Sequence, residues 1–209
     1  PWEGDHVLRI PEEEVIAYSL HVRGFTKHPS SKVKKKGTFS GVIEKIPYLK
    51  ELGINQIQCM PVYEFEECGR KVNYWGYGKG FFFAPKEAYA AGKDSVREFK
   101  DLVKACHREG IEIVLDFPFT PETRFQIVED CLRFYVTEYH IDGFLLNPYQ
   151  VSVELLRKDP VLCGTKLFVK DETFQNTMRR FLKGDEGMIA AAAEQLRRKS
   201  DASGSCNYM

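Results

Sequence analysis

The chain has no net charge: 30 lysines and arginines stand against 30 aspartates and glutamates in 209 residues. No long-range field draws it to phosphate backbones or acidic lipid, so neither nucleic acid nor a membrane is expected as a partner. It also lacks any run near the roughly 20 apolar residues of a membrane helix. Pro1-Trp2-Glu3-Gly4-Asp5 is neither basic nor apolar enough for a signal peptide. Six cysteines, at 59, 68, 106, 131, 163 and 206, show no Cys-x-x-Cys spacing and no matching histidine pair. No metal, redox pair or other cofactor is therefore expected. Four of the cysteines lie in apolar strand or helix contexts, where a free thiol acts as a small buried hydrophobe, which predicts a reducing, cytoplasmic compartment. The first residue is not methionine, so a piece of a longer polypeptide is expected.

What is present suits a sizeable core, with 43% hydrophobic and 13% aromatic residues. The informative stretch is Ile141-Asp142-Gly143-Phe144-Leu145-Leu146-Asn147-Pro148-Tyr149, an apolar run that ends on a polar side chain and is stopped by proline. Such a run reads as a parallel strand buried on both faces, and at its carboxyl end a side chain points into the mouth of a barrel. Asn147 holds that place. Before it, Phe125, Val128, Leu132, Tyr135, Val136 and Tyr139 recur at helical spacing, which predicts a helix over 124–140.

Along the chain, residues 1–14 read as a leading segment and 15–209 as one partial barrel. Strands are expected at 15–22, 54–62, 111–119, 141–149 and 166–169, with a further strand beginning at Cys206. Helices are expected at 37–52, 95–110, 124–140, 151–157, 173–182 and 188–199. Thr26 to Lys36 reads as a loop whose lysines are a solvated run. The aromatic and glycine-rich stretch from Tyr63 to Pro85 reads as a long loop after the second strand, where such folds build their sites. Repeated βα units without hairpins predict an α/β protein with a parallel sheet, closed into a TIM-type barrel of which about five strands are visible. An unpaired sheet edge would need further strands or a partner to protect it.

Several motifs in order, Tyr18-x-Leu20-His21-Val22-Arg23-Gly24-Phe25-Thr26, Tyr48-Leu49-Lys50-Glu51-Leu52-Gly53, Met60-Pro61-Val62, Asn73-Tyr74-Trp75-Gly76-Tyr77, Phe83-Ala84-Pro85 and Arg180-Phe181-Leu182-Lys183-Gly184-Asp185, resemble the α-amylase superfamily in its isoamylase, pullulanase and glycogen-debranching branch. The resemblance runs from about Trp2 to the end. It implies a (β/α)8 barrel, incomplete in this chain, with a carbohydrate-binding β-sandwich before it and a β domain after it. It also implies retaining hydrolysis of α-glucans by two carboxyl groups about 5 Å apart, with a third carboxylate holding the sugar.

Against that pattern this chain departs at the chemistry. The family's Gly-Phe-Arg-Phe-Asp is Gly143-Phe144-Leu145-Leu146-Asn147, so the nucleophile position holds an amide and its arginine neighbour is leucine. In the third strand Asp116 is kept, but the family's Asn-His is Thr120-Pro121. The general-acid position holds Lys170, and Glu172 stands two residues away, too far for a tolerance of about an ångström. Two junctions, Phe119 to Arg124 and Val169 to Thr173, are shorter than the family's.

The catalytic positions Asn147, Lys170, Leu145 and Pro121 therefore read as degenerate, and no carboxylate pair among Glu122, Asp171 and Glu172 is placed for hydrolysis. Tyr74, Trp75, Tyr77, Asp116 and His21 remain as candidate sugar contacts, the rings because aromatic faces stack on pyranoses; the alternative is that the rings pack the loop against the barrel, the reading that suits Trp75 better. His21 and Arg23 read as a satisfied polar cluster rather than as catalysts, and Asp116, if buried, needs a partner such as Arg23 or Lys170. His107 and His140 read as surface or capping residues. Three functions stay open: a degenerate debranching-type barrel that binds α-glucan such as glycogen, starch or pullulan without cutting it; an active α-1,6 hydrolase whose remaining residues lie outside this chain; and a barrel kept only as an assembly surface. Flanking β domains or a partner chain are expected to complete the barrel.

Overall fold

Each apolar run that follows an amphipathic helix becomes a strand of one parallel sheet. The computed structural model describes residues 2–69, 72–147, 152–169 and 171–203, with side chains through 197. In chain order the elements are β1 (Ala17–Leu20), α1 (Val22–Lys27), α2 (Phe39–Ile43), α3 (Ile46–Glu51), β2 (Gln56–Cys59), β3 (Tyr63–Glu64), β4 (Phe81–Pro85), α4 (Ser95–Arg108) and β5 (Glu112–Phe117). There follow α5 (Phe125–Tyr139), β6 (Gly143–Leu146), α6 (Val153–Arg157), β7 (Lys166–Val169), α7 (Glu172–Lys183) and α8 (Met188–Ser203). The chain forms two compact units, 1–169 and 170–209.

In the first unit the sheet runs β1-β2-β5-β6-β7, every neighbouring pair parallel. β5 lies at its centre and all six of its residues are buried. Phe117, at its end, stacks on Tyr63 at 5.4 Å and Phe119 at 5.3 Å, and meets Tyr135 edge-on at 5.1 Å. Each such pair adds about 0.5–1.5 kcal/mol beyond the area it buries, which ties the loop after β2, the strand and α5 into one core.

Three expectations are corrected. The stretch from Tyr63 to Pro85 is not only loop: β3 and β4 pair antiparallel as a small second sheet, so a hairpin does interrupt the βα repeat. The first strand is shorter than expected, because His21 turns the chain into α1 by accepting the backbone N–H of Gly24 at 3.0 Å. The helix over 37–52 is two helices, broken at Glu44–Lys45 just before Pro47, which opens α3 where its missing N–H costs nothing.

The leading segment lies along the amino ends of the strands. Ile10 N–H donates to Glu112 at 2.7 Å and Leu8 N–H to Asp142 at 3.0 Å. His107 and His140 are not simply surface groups: His107 is buried, and both meet Asp5.

In the second unit, Asp171 caps α7 by accepting Phe174 N–H at 2.9 Å, Gly184 ends it in the left-handed region, and α8 packs beside it. The expected strand at Cys206 lies outside the described residues, as does Lys170.

Candidate functional site

The carboxyl ends of β5 and β6 hold the chemistry-bearing positions. The register sets Asp116 beside Leu145 and Phe117 beside Leu146, and half-buried Asn147 follows β6 directly. Asp116 is 7% exposed, so its charge is costly unless met by donors. Tyr77 Oη donates to its Oδ2 at 2.8 Å. Burial, and then the negative charge of Asp116, push the Tyr77 phenol well above its ordinary pKa, so it stays protonated and a donor.

The loop sequence explains how Tyr77 reaches that carboxylate. Asn73 brackets the turn, its Oδ1 accepting Gly76 N–H at 3.1 Å and its Nδ2 donating to the Tyr77 carbonyl at 3.2 Å. Gly76 takes φ +82°, and a Cβ there would come within 2.5 Å of the Phe65 ring, so only glycine fits. Tyr63 Oη donates to the Gly76 carbonyl at 2.9 Å. Backbone and core thus fix Tyr77 from two sides.

Tyr74 and Trp75 lie over His21. Tyr74 stacks on the imidazole at 4.6 Å and Trp75 meets it edge-on at 5.5 Å, while both keep exposed surface. His21 itself is buried. Its Nδ1 accepts Gly24 N–H, so the proton is on Nε2, which donates to Tyr89 Oη at 2.9 Å. Burial lowers its pKa and keeps it neutral. Both ring nitrogens are committed, and His21 supports the aromatic pair from below.

Arg23 does not meet Asp116; it pairs with Glu67 at 2.8 Å. Buried Lys86 pairs with Glu64 at 2.9 Å, donates to the Phe65 carbonyl at 2.7 Å and lies 3.9 Å above the Phe65 ring. The polar cluster expected at His21 and Arg23 is present, while its other members under the loop, Glu64, Glu67, Lys86 and Tyr89, were not foreseen. The acid-rich run Glu64-Phe65-Glu66-Glu67 after the second strand was its one local signal.

Pro121 is exposed, and so is Glu122, whose carboxyl is held below its ordinary pKa first by hydrogen bonding from Thr120; it is ionised and has no proton to give. Asp171 is used as a helix cap and Glu172 begins α7. Among the described residues no group of three or more His, Cys, Asp or Glu is arranged to hold a metal ion.

A family profile described as the α-amylase catalytic domain matches residues 23–123, which carry β2, the hairpin and β5. Isoamylase 1, chloroplastic, of Oryza sativa subsp. japonica is 35% identical over 305 residues, covering 93% of this chain and 38% of that protein. This chain belongs to the α-amylase superfamily. Isoamylase 1, chloroplastic, of Arabidopsis thaliana is 29% identical over 310 residues, covering 93% of this chain and 40% of that protein. Among solved structures, the catalytic module of the glycogen-degrading pneumococcal virulence factor SpuA superposes with a TM-score of 0.68 at 22% identity, covering 81% of this chain and 34% of that one.

Superfamily membership makes the parallel sheet the first part of a (β/α)8 barrel that this chain holds incompletely. The chain spans less than half the length of the curated relatives it matches. Within the matched span the rice relative aligns over 305 residues against a chain of 209, so much of that span has no counterpart here.

Proposed function

We propose that this chain is a debranching-type α-amylase barrel that binds α-glucan without hydrolysing it. The observation that carries the reading is Asn147 at the carboxyl end of β6, with Leu145 in register beside Asp116. An amide cannot form the covalent glycosyl ester of a retaining mechanism. A leucine in place of the arginine leaves Asp116 facing an apolar side chain across the register, and the Tyr77 phenol supplies a donor instead.

Supporting the binding half are Tyr74, Trp75 and Tyr77, exposed rings held by buried groups beneath them. Flat faces of this kind match the apolar faces of glucose units. The ligand class is glycogen, starch or pullulan, and flanking β domains or a partner chain would complete the barrel around it. We also place the protein in a reducing, cytoplasmic setting. The buried free thiols of Cys59, Cys106 and Cys131 support that reading, burial pushing the first up to about 12.

A second reading, an active α-1,6 hydrolase whose missing residues lie outside this chain, draws on the length of the matched span in the relatives. One assay separates them. The purified protein and its Asn147→Asp variant are run on pullulan and glycogen, and retention on a glycogen column is measured alongside. Silence in both with glycogen retained is the expected result. Reducing ends released by the unmodified protein, and abolished by a carboxylate substitution, would establish the second reading, and no retention would leave only an assembly role.

A further inference from the structure

At the opposite end of the sheet from Asn147, a buried histidine holds the leading segment. His107, in the last turn of α4, places Nδ1 3.0 Å from both carboxylate oxygens of Asp5 and Nε2 2.9 Å from Asp142 Oδ2. Ionised carboxylates only accept, so both ring nitrogens must donate and the ring is an imidazolium. Asp5 is also met by His140 Nδ1 at 2.9 Å, and the His140 ring stacks on Trp2 at 4.0 Å. Asp142 further accepts the N–H groups of Leu8 at 3.0 Å and Ile113 at 2.7 Å.

The remaining charged neighbours do not replace this proton. On α4, Lys104 and Arg108 line the same recess; Lys104 pairs with Asp101 at 3.3 Å and Arg108 with Glu3 at 3.2 Å. His6 turns to the Gly4 carbonyl. Cys106 is buried and acts as a neutral thiol, its pKa raised by burial.

We propose that residues 2–7 form a strap closed by the protonated His107 and released when that ring becomes neutral, with Leu8 and Ile10 as its fixed root. A neutral imidazole has one N–H. Asp142 is the deeper carboxylate and lies at the strand end, so the remaining proton stays on Nε2. Nδ1 then turns a lone pair toward Asp5, and the clasp becomes a repulsion. The root is unaffected, because Leu8 keeps Asp142 and Ile10 keeps both Glu112 at 2.7 Å and the Lys166 ammonium at 2.5 Å.

The direction follows from linkage. Burial disfavours charge on His107, but the hydrogen bonds and charges of Asp142 and Asp5 outweigh it and raise its pKa above 6.5. A group with a raised folded pKa contributes stability that is complete below its unfolded value and is lost as pH rises through the folded one. The strap is therefore closed at low pH and opens as pH rises through the raised folded value.

Residue-resolved amide exchange, corrected for intrinsic rates, tests this on the whole chain from about pH 6 to about pH 9. The Asp5 amide, bonded to the Trp2 carbonyl at 2.9 Å, should lose about tenfold or more in protection, while Leu8 and Ile10 keep theirs. The midpoint should coincide with the His107 ring titration followed by NMR. His107→Gln should abolish the step. Asp5→Asn, a change on the strap itself that leaves the core intact, should abolish it too and loosen Asp5 at every pH. Constant protection at Asp5, parallel loss at Leu8 and Ile10, a midpoint away from the His107 titration, or a step surviving in a folded variant would each overturn the proposal.

Discussion

The ammonium of Lys166 on β7 lies 2.6 Å from the carboxylate of Glu112 on β5, reaching past the intervening strand at Gly143. Glu112 is fully buried, and Gln56 and the Ile10 backbone complete its hydrogen bonding at 2.9 and 2.7 Å. The pair joins three strands and the leading segment at one point. Removing one partner leaves the other charge buried without compensation, which costs about 3–5 kcal/mol. Lys166→Met should lower unfolding stability in urea by that amount, and Lys166→Met combined with Glu112→Leu should cost less than Lys166→Met alone.

Gly143 makes that reach possible. A Cβ at this position would sit 2.8 Å from the Lys166 carbonyl oxygen and 2.9 Å from its Cβ. Because one of those atoms is backbone in a paired strand, the clash cannot be relieved by a rotamer change. Gly143→Ala should destabilise by about 1–3 kcal/mol, read from the shift of the denaturation midpoint at unchanged slope.

Tyr77→Phe removes a donor from buried Asp116. The loss should be about 1.5 kcal/mol, at the lower end for a charged acceptor because Tyr77 is partly exposed. Glycogen retention should fall with it, since the ring loses its anchored orientation. Unchanged retention with lowered stability would assign Tyr77 to the fold alone.

Tyr135 behaves in the opposite way. Its hydroxyl is buried without a hydrogen-bond partner, among the described residues the one side-chain atom so placed. Tyr135→Phe removes a desolvated group that gains nothing in return, so stability should hold or rise slightly. A loss above about 1 kcal/mol in the same titration would mean that the hydroxyl is satisfied in solution.

Asp159 supplies an acid-side test. Hydrogen bonding from Arg133, at 2.9 Å through Nε, holds its carboxyl below the ordinary 3.8. A depressed carboxylate contributes stability that is complete above its unfolded pKa and lost as pH falls through the folded one. Asp159→Asn should flatten the stability profile below about pH 4 while lowering the plateau above it.

Much of this architecture is written locally. β7 matches the expected span, and α4 and α5 lie within a residue or two of theirs, because each is a long periodic helix or a short apolar run bounded by turn residues. α1 was hidden because His21 and Val22 extend an apolar run; an imidazole serving as a helix cap is not a composition signal. The roles of His107 and Glu112 are illegible for a different reason. Their partners stand 102 and 54 residues away, so neither residue carries a local mark of being buried and paired. At the site, Asn147 and Leu145 were legible as departures from a motif, while the Tyr77 to Asp116 bond needed the hairpin, which breaks the βα rhythm that the sequence otherwise keeps.

The tether from Tyr63 to the Gly76 carbonyl, together with the Asn73 bracket, means that the turn carrying Tyr77 is already in its final form without a ligand. On the proposed function, a glucan arriving there meets Tyr77 already in place. Its capture rate should then follow encounter rather than a rearrangement, and differences between glucans should appear in how long each stays rather than in how fast each arrives.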